Sequence, residues 1–184
     1  MAEDLDERTK LKLYMLIVNR YKDTISKQEE RSVSEIRQRI SPYSEIVKKI
    51  RDRLIADLQP YESERDFFPA AQRVFAYIRE LKTCKFMINF WMAFEEIDEL
   101  GVAGVMDKAL LITALLRSLD SKDARVLVTK SERVFVSFNW KGQSHLVVPE
   151  TGSLLVGDDT ARQFKTDPVN YAFSDLLYES YEEG

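Results

Sequence analysis

The segment that most constrains the fold is residues 105–119, which carry the most apolar helical pattern in the chain. One face of this helix carries apolar or small residues at helical spacing, namely Leu110, Leu111, Ala114, Leu115 and Ser118. Further apolar residues widen this stripe, namely Met106, Ile112 and Leu116. A helix with so wide an apolar stripe turns little of its surface to water, so we expect it at the centre of a domain. The following residues, 124–156, read as several short β segments, and a sheet with one apolar face is the usual cover for such a helix.

The start of the chain has a helical pattern throughout. Residues 5–31 show apolar residues at helical spacing, and Ser32 and Glu35 have the spacing of a capping box that starts a second helix. A third amphipathic segment covers residues 42–58, and we predict that its first residue, a proline, opens the helix.

A polar segment at residues 61–66 divides this helical part from a mixed pattern. We therefore predict an N-terminal helical region over residues 1–62 and a core over residues 63–184. Within the core, residues 67–69 (FFP) open another helix, and residues 167–177 form a C-terminal helix that begins with an Asp-Pro pair.

The middle of the core predicts a short helix and an antiparallel sheet. Residues 95–100 read as a single helical turn that Gly101 closes. Residues rich in β-formers follow residue 119, and a Lys-Gly pair at residues 141–142 suits a hairpin turn. The predicted strands are residues 124–129, 133–138, 144–148 and 154–156.

Composition excludes several classes of protein. A net charge of -4 gives no overall attraction to nucleic acid or to an anionic membrane, and no apolar run reaches the length of a membrane helix. The charged N-terminus is unlike a signal peptide, so we expect a cytoplasmic protein. One cysteine and one histidine exclude an internal disulfide and the usual zinc sites. This count does not exclude metals with oxygen ligands, but we predict no metal and no cofactor. The high content of Lys, Arg and Glu is typical of thermophilic proteins.

The residues with catalytic potential form no obvious constellation. A cysteine nucleophile needs a base to activate it, and the only candidates are Cys84 and His145. Nothing in their spacing brings them together, so we expect a buried thiol and an exposed or hydrogen-bonded imidazole. Paired carboxylates occur at residues 95–96, 98–99 and 158–159, but adjacent acids usually point into water.

The third helical segment, residues 42–58, raises the possibility of nucleic-acid binding. Its basic residues are Lys48, Lys49, Arg51 and Arg53. Acidic residues are mixed among them, and no aromatic residues are interleaved for base stacking. A solvated face with acid partners one turn away is the favoured interpretation, and a weak nucleic-acid binder is the alternative.

Several segments together resemble the transglutaminase-like superfamily, in particular its predicted prokaryotic and archaeal cysteine proteases. They are residues 90–96 (FWMAFEE), 99–101 (ELG), 104–111 (GVMDKALL), 115–119 (LLRSL), 133–138 (RVFVSF) and 142–149 (GQSHLVVP). The resemblance implies a papain-like α+β fold, with the N-terminal helical region packed on a core in which a central helix lies against a small antiparallel sheet.

The same resemblance places the family's three catalytic residues on positions that cannot perform the chemistry. Its cysteine falls on Val105, its histidine on Arg133 and its aspartate on Val148. Valine offers no nucleophile and no carboxylate, and an arginine stays protonated and cannot act as a base. We expect the two valines to contribute packing, and the Arg133 guanidinium to reach the surface or a carboxylate such as Asp107 or Glu132.

We therefore predict a noncatalytic transglutaminase-like protein that acts as a binding or scaffolding module. Its partner is expected to be another protein or a second copy of the chain, with no membrane partner. The binding candidates are Trp91, Asp107, Arg133 and Phe135. One alternative is a hydrolase that uses a non-thiol site around Arg133 and Asp107.

Overall fold

In a computed structural model, residues 5–25, 33–85 and 91–181 of the chain are described. The helices are α1 (Glu7–Ile25), α2 (Val33–Arg39), α3 (Glu45–Leu54), α4 (Ser63–Glu80), α5 (Phe94–Leu100), α6 (Val105–Ser118) and α7 (Asp158–Gln163). The strands are β1 (Lys82–Thr83), β2 (Val102–Ala103), β3 (Arg125–Thr129), β4 (Val134–Trp140), β5 (Gln143–Val148), β6 (Ser153–Val156), β7 (Val169–Phe173) and β8 (Tyr178–Ser180). The predicted α+β class is confirmed. Within the described ranges, no helix is both long and apolar enough to cross a membrane.

The central helix predicted from the apolar pattern is α6, and its position is confirmed. Every residue from Asp107 to Leu116 is buried. The helices α3 and α4 pack against α6, and so do the strands β3 and β4. The wide apolar stripe therefore has a cover on each side, which is why so little of this helix reaches water.

The main sheet has six strands in the order β6-β5-β4-β3-β7-β8, and all its pairs are antiparallel. Val126, Val136 and Val147 lie side by side on three of these strands and belong to the same core as α6. Alternate residues such as Leu127 and Phe135 form a smaller apolar cluster on the other side. We call these the inner face and the outer face of the sheet, because successive side chains of a strand point to opposite faces.

A two-stranded parallel pair, β1 with β2, joins the end of α4 to the approach to α6. The chain reaches β2 after α5, which Gly101 closes with φ 66°, as predicted. The buried ammonium of Lys108 on α6 donates hydrogen bonds to the Leu81 carbonyl at 2.7 Å and to Thr83 Oγ1 at 2.8 Å. These bonds satisfy a charge that would otherwise be costly to bury.

The N-terminal helices share a hydrophobic core with the rest of the chain. Val47 and Ile50 of α3 are fully buried and belong to the same cluster as Ala71 and Val74 of α4. The cluster thus extends across the predicted boundary at residue 62. Leu13 of α1 is buried in the same cluster, and the partly buried Ile17 of α1 and Leu5 just before it pack on it.

The predicted C-terminal helix over residues 167–177 is wrong. The segment forms β7 and then β8, and β7 pairs with β3 through contacts such as Leu127 with Ala172. The cause is a tertiary contact, because β7 forms the hydrogen-bonded pair that the second edge of β3 would otherwise lack. A Pro at residue 168 is compatible with either a helix or a strand after it. Asp167, the expected helix cap, instead accepts a hydrogen bond from the Ser131 amide at 3.0 Å.

Two predicted helix starts are also wrong. The third helix begins at Glu45, where the Ser44 hydroxyl accepts a hydrogen bond from the Val47 amide, and Pro42 lies in the turn before it. The fourth helix begins at Ser63, so Pro69 lies inside it. Burial of the apolar face of α4 outweighs the one hydrogen bond that a proline removes. The predicted capping residue Ser32 of α2 lies outside the described residues.

Candidate functional site

The three positions that the resemblance assigns to a catalytic triad do not converge. Val105 begins α6, on the inner side of the sheet. Val148 packs on the outer-face cluster. Arg133 immediately precedes β4, and its guanidinium lies 4.9 Å from the centre of the Phe135 ring on the outer face. Successive side chains of a strand point to opposite faces, and this alternation causes the separation. Val134, next to Arg133, and Val147, next to Val148, are the residues that pack on the core around α6. These two residues are also valines, so a shift of register would not restore a base or a carboxylate.

The Arg133 guanidinium reaches neither of the carboxylates expected from the sequence. It donates a hydrogen bond to Gln163 Oε1 at 3.0 Å and lies 3.9 Å from a carboxylate oxygen of Asp167. Beneath it, Phe135 is buried and meets Phe164 edge to face at 5.6 Å. The Arg133 guanidinium thus lies over the face of an aromatic ring, where a cation is attracted, and its side chain is 51% exposed, so it reaches the surface as expected.

Asp107 lies on the helical side of the sheet, away from Arg133. Its carboxylate is 2% exposed and accepts hydrogen bonds from the amides of Met92 and Gly104, both at 3.3 Å. It thus caps α6 and holds the segment before α5 against it. Burial raises the pKa of Asp107 to about 6 despite these two bonds. The proposed hydrolase site around Arg133 and Asp107 gains no support, because the sheet separates the two side chains.

Trp91, the fourth binding candidate, lies beside a small recess. Glu35, Ile36 and Arg39 line this recess with it, and its volume is about 210 Å³. The Arg39 guanidinium lies 5.7 Å from the centre of the Trp91 ring and donates a hydrogen bond to the Met92 carbonyl at 3.2 Å. Small-molecule sites usually enclose at least about 300 Å³, so this recess is small for one.

Cys84 and His145 share no hydrogen bond in the part of the chain that the structure describes. The His145 ring is buried, stacks on Phe138 at 4.9 Å and lies 5.5 Å from the Phe68 ring. Its Nδ1 is 2.9 Å from the Gln143 carbonyl oxygen. Burial raises the pKa of the Cys84 thiol, which disfavours the thiolate that a nucleophile needs.

The paired carboxylates of α5 serve to hold the helices together. Glu96 accepts a hydrogen bond from the Ala93 amide at 2.6 Å and pairs with Arg20 of α1 at 2.5 Å. Asp98 pairs with Arg53 at 2.6 Å and accepts a hydrogen bond from the Tyr77 hydroxyl.

The basic residues of α3 likewise have acidic neighbours. Arg53 pairs with Asp98, Arg51 pairs with Asp52 at 2.7 Å, and Lys48 pairs with Glu45 at 3.3 Å. Of these pairs, Lys48 with Glu45 has the one-turn spacing that was expected, whereas Arg51 pairs with its neighbour in sequence and Arg53 with a residue of α5. Whether this face binds nucleic acid stays a prediction. Over the described parts of the chain, no group of three or more His, Cys, Asp or Glu residues is arranged to hold a metal ion.

Helix α1 presents a second apolar face that the sequence analysis did not single out. Leu11, Tyr14, Met15 and Val18 are 61%, 63%, 58% and 63% exposed, respectively. They stand at i, i+3, i+4 and i+7, which places them in one row along the helix. We call these four residues the α1 outer row. The spacing was available in the sequence, but the sequence does not tell which apolar face of α1 the rest of the chain covers.

The covered face of α1 is fastened by polar contacts. The Arg20 guanidinium donates hydrogen bonds to the Trp91 carbonyl and to the Glu96 carboxylate, and Lys12 pairs with Glu99 at 2.9 Å. A recess of about 470 Å³ runs between α1 and α5, beside the α1 outer row, and Met15, Leu16 and Leu100 supply its apolar lining. The recess and the row together form a continuous surface on this side of the molecule.

A second open surface lies on the outer face of the sheet. It is a groove of about 460 Å³ bounded by the strands, α7 and the turn before β8. Its apolar lining comes from Leu127, Phe138, Leu146, Ala161, Phe164 and Leu177, and its polar lining from Lys122, Asp123, Arg125, Ser137, Asn139, Ser144 and Thr160. Sequence reasoning missed this groove, because its walls come from segments that only the folded sheet brings together.

Comparisons with protein-family models, with curated proteins and with solved structures find no match to this chain. The resemblance to the transglutaminase-like superfamily therefore stays a prediction.

Proposed function

We propose that this protein is a noncatalytic module that self-associates, with the α1 outer row as its contact surface. The observation that carries the proposal is the exposure of four large apolar side chains in one row on a helix whose other face is already packed. The largest exposed apolar patch on a folded protein is typically of this size, a few hundred Å², and is often functional. The proposal does not depend on the transglutaminase-like resemblance.

A second copy of the chain fits this surface because the row is self-complementary. A row at i, i+3, i+4 and i+7 is the seam that two helices share when their side chains interdigitate. In an antiparallel pair with its two-fold axis between Tyr14 and Met15, Leu11 of each copy meets Val18 of the other. A two-fold axis makes each such contact twice, which is the usual way in which soluble proteins form dimers.

Charge is compatible with the same arrangement. The row itself contains no charged residue, and Glu7, one turn before Leu11, has a side chain that is 93% exposed and pairs with Lys10 of the same helix at 3.2 Å. No like charges therefore lie within the apolar seam of the antiparallel pair. The polar rim and apolar centre are the usual anatomy of a protein interface.

The buried area sets the expected strength. Four side chains about 60% exposed offer roughly 400 Å² on each copy, and the recess beside Met15 adds to it. The total approaches the lower end of specific interfaces, about 1,000 Å². Association also costs at least about 4 kcal/mol of lost rotational and translational freedom, so we expect a dimer of micromolar Kd.

Sedimentation velocity over a concentration series tests the proposal. The wild-type chain should shift from monomer to dimer across the micromolar range, and the double variant Leu11→Glu, Val18→Glu should remain monomeric at every concentration. The control is Tyr43→Glu, which alters a tyrosine that is 72% exposed and lies outside the row, and it should dimerise like the wild type. A wild-type chain that stays monomeric at several hundred micromolar, or a control that loses the dimer equally, would contradict the proposal. Circular dichroism establishes that each variant is folded.

A further inference from the structure

The groove on the outer face of the sheet is a second candidate binding site, independent of the α1 outer row. The inner face packs on α6, whereas the groove lies on the other face, between the strands and α7. We propose that the groove binds a small amphipathic carboxylate, with an apolar body along its floor and the carboxylate at its polar end. This inference goes beyond the proposed self-association and does not rest on it.

The floor of the groove suits an apolar body. Leu127 and Leu146, on the outer face of the sheet, are 7% and 1% exposed. Phe164 and Leu177 also line the groove. The side chains at the floor lie in rows across the sheet, because Arg125 pairs with Ser137 and Ser137 with Leu146. Ligand sites typically combine such an apolar lining with a few polar groups at one end, in a volume of about 300 to 1,000 Å³.

Hydrogen bonding at the polar end leaves an excess of donors. The Asp123 carboxylate already accepts bonds from the Asn139 amide at 3.1 Å, from the Asn139 side-chain amide and from the Ser121 hydroxyl at 3.2 Å. The Arg125 guanidinium uses one nitrogen to pair with Glu179 at 2.8 Å. Tyr181 also hydrogen-bonds to this guanidinium, and because a guanidinium has five N–H donors, Arg125 retains donors that no described residue uses.

Lys122 adds a cation at the same end. It is exposed and forms no ion pair within the described residues. A ligand carboxylate that accepts bonds from both Lys122 and Arg125 would form charge-assisted hydrogen bonds, which are about twice as strong as neutral ones. The charged residues that line the groove are two cations, Lys122 and Arg125, and one carboxylate, Asp123, whose oxygens already accept three hydrogen bonds, so an anionic head group is favoured over a cationic one.

Titration of the full chain with octanoate, followed by NMR, tests this assignment, with octanol as the neutral probe of the same length. Saturable octanoate binding should move the signals of Leu127, Leu146 and Leu177, and octanol should bind at least about tenfold more weakly. Lys122→Met should weaken octanoate binding several-fold and leave octanol binding unchanged. Ser137→Trp, which fills the groove, should abolish both.

If Ser137→Trp disturbs the fold, the variant Arg125→Gln supplies an independent check. It is expected to weaken the binding of octanoate more than the binding of octanol. Three results would overturn the proposal: no saturable octanoate binding up to millimolar concentration, equal affinity for octanoate and octanol, or signal changes confined to α1 and α5. The double variant Leu11→Glu, Val18→Glu should bind octanoate as the wild type does, so failure of the dimer and failure of the groove are distinguishable.

Discussion

Helices α6 and α1 both carry apolar residues on more than one face, but the two helices differ in how much of that apolar surface is buried. Around α6, helices pack on one part of the surface and the sheet on another, so its middle ten residues are all buried. Among the described residues, the face of α1 with Leu13 is packed, and the four residues of the α1 outer row are about 60% exposed. The apolar side chains of α6 therefore contribute to the core, whereas those of the α1 outer row do not.

The largest expected effect is the difference in the free energy of unfolding between a truncation in α6 and one in the α1 outer row. Leu115→Ala in α6 removes a fully buried side chain, and we expect it to lower the free energy of unfolding by about 2 to 5 kcal/mol. Leu11→Ala in the outer row should change it by less than about 0.5 kcal/mol when the protein is dilute enough to be monomeric. Urea denaturation at low micromolar concentration measures both values. Equal losses would mean that the monomer itself buries the outer row.

A second prediction concerns the start of α6, where the fold buries a carboxylate. The pKa of Asp107 is raised to about 6 in the folded chain, above the value of about 4 for an unfolded aspartate. The folded state therefore binds the proton more tightly, and this group makes the wild type less stable as the pH rises from 4 through 6. Asp107→Asn cannot ionise, so its stability relative to the wild type should increase by roughly 2 kcal/mol between pH 4 and pH 7.

Urea denaturation at pH 4 and at pH 7 measures this change. Asp52→Asn, at an exposed position on α3, is the matched control for loss of a carboxylate. A difference between wild type and Asp107→Asn that is the same at both pH values would show that burial of Asp107 does not disfavour its charged form.

A smaller effect tests how the covered face of α1 is held. Arg20→Met removes the bonds to Glu96 and to the Trp91 carbonyl, and we expect it to destabilise the chain by about 1 kcal/mol. The matched variant Lys12→Met breaks a more exposed pair with Glu99 and should change stability by less than about 0.5 kcal/mol. Thermal or urea unfolding compares the two. Equal effects would indicate that apolar packing alone fastens α1.

The comparison also explains which parts of the structure the sequence could predict. The α6 helix and strands β3 to β6 were predictable, because their apolar periodicity agrees with the local structure that they adopt. The strand β7 was not, because a helical start signal at Asp167 competes with a pairing to β3 that is some forty residues away in the chain. A helix-start pattern depends on a few neighbouring residues, so it carries no information about a distant strand edge that needs a partner.

The candidate surfaces show the same limit. The spacing of Leu11, Tyr14, Met15 and Val18 is visible in the sequence, but which face of α1 is covered depends on where α5 packs. The outer-face groove depends on α7 and on the turn before β8, which meet only across the folded sheet. The predicted binding residues were chosen by type, and the structure uses Asp107 as a helix cap and Arg133 as a cover for Phe135.

Cysteine cross-linking tests most directly whether the α1 outer row is an antiparallel interface between two copies. On a Cys84→Ser background, one chain carries Leu11→Cys and a second carries Val18→Cys, and the two are mixed under a mild oxidant. The antiparallel pair puts positions 11 and 18 of different copies together, whereas the two positions 11 lie about 10 Å apart along the helix axis. We predict that the mixed disulfide forms fastest. Preferential formation of the 11–11 and 18–18 disulfides, or no cross-link above the rate of a Tyr43→Cys control, would contradict the proposed interface.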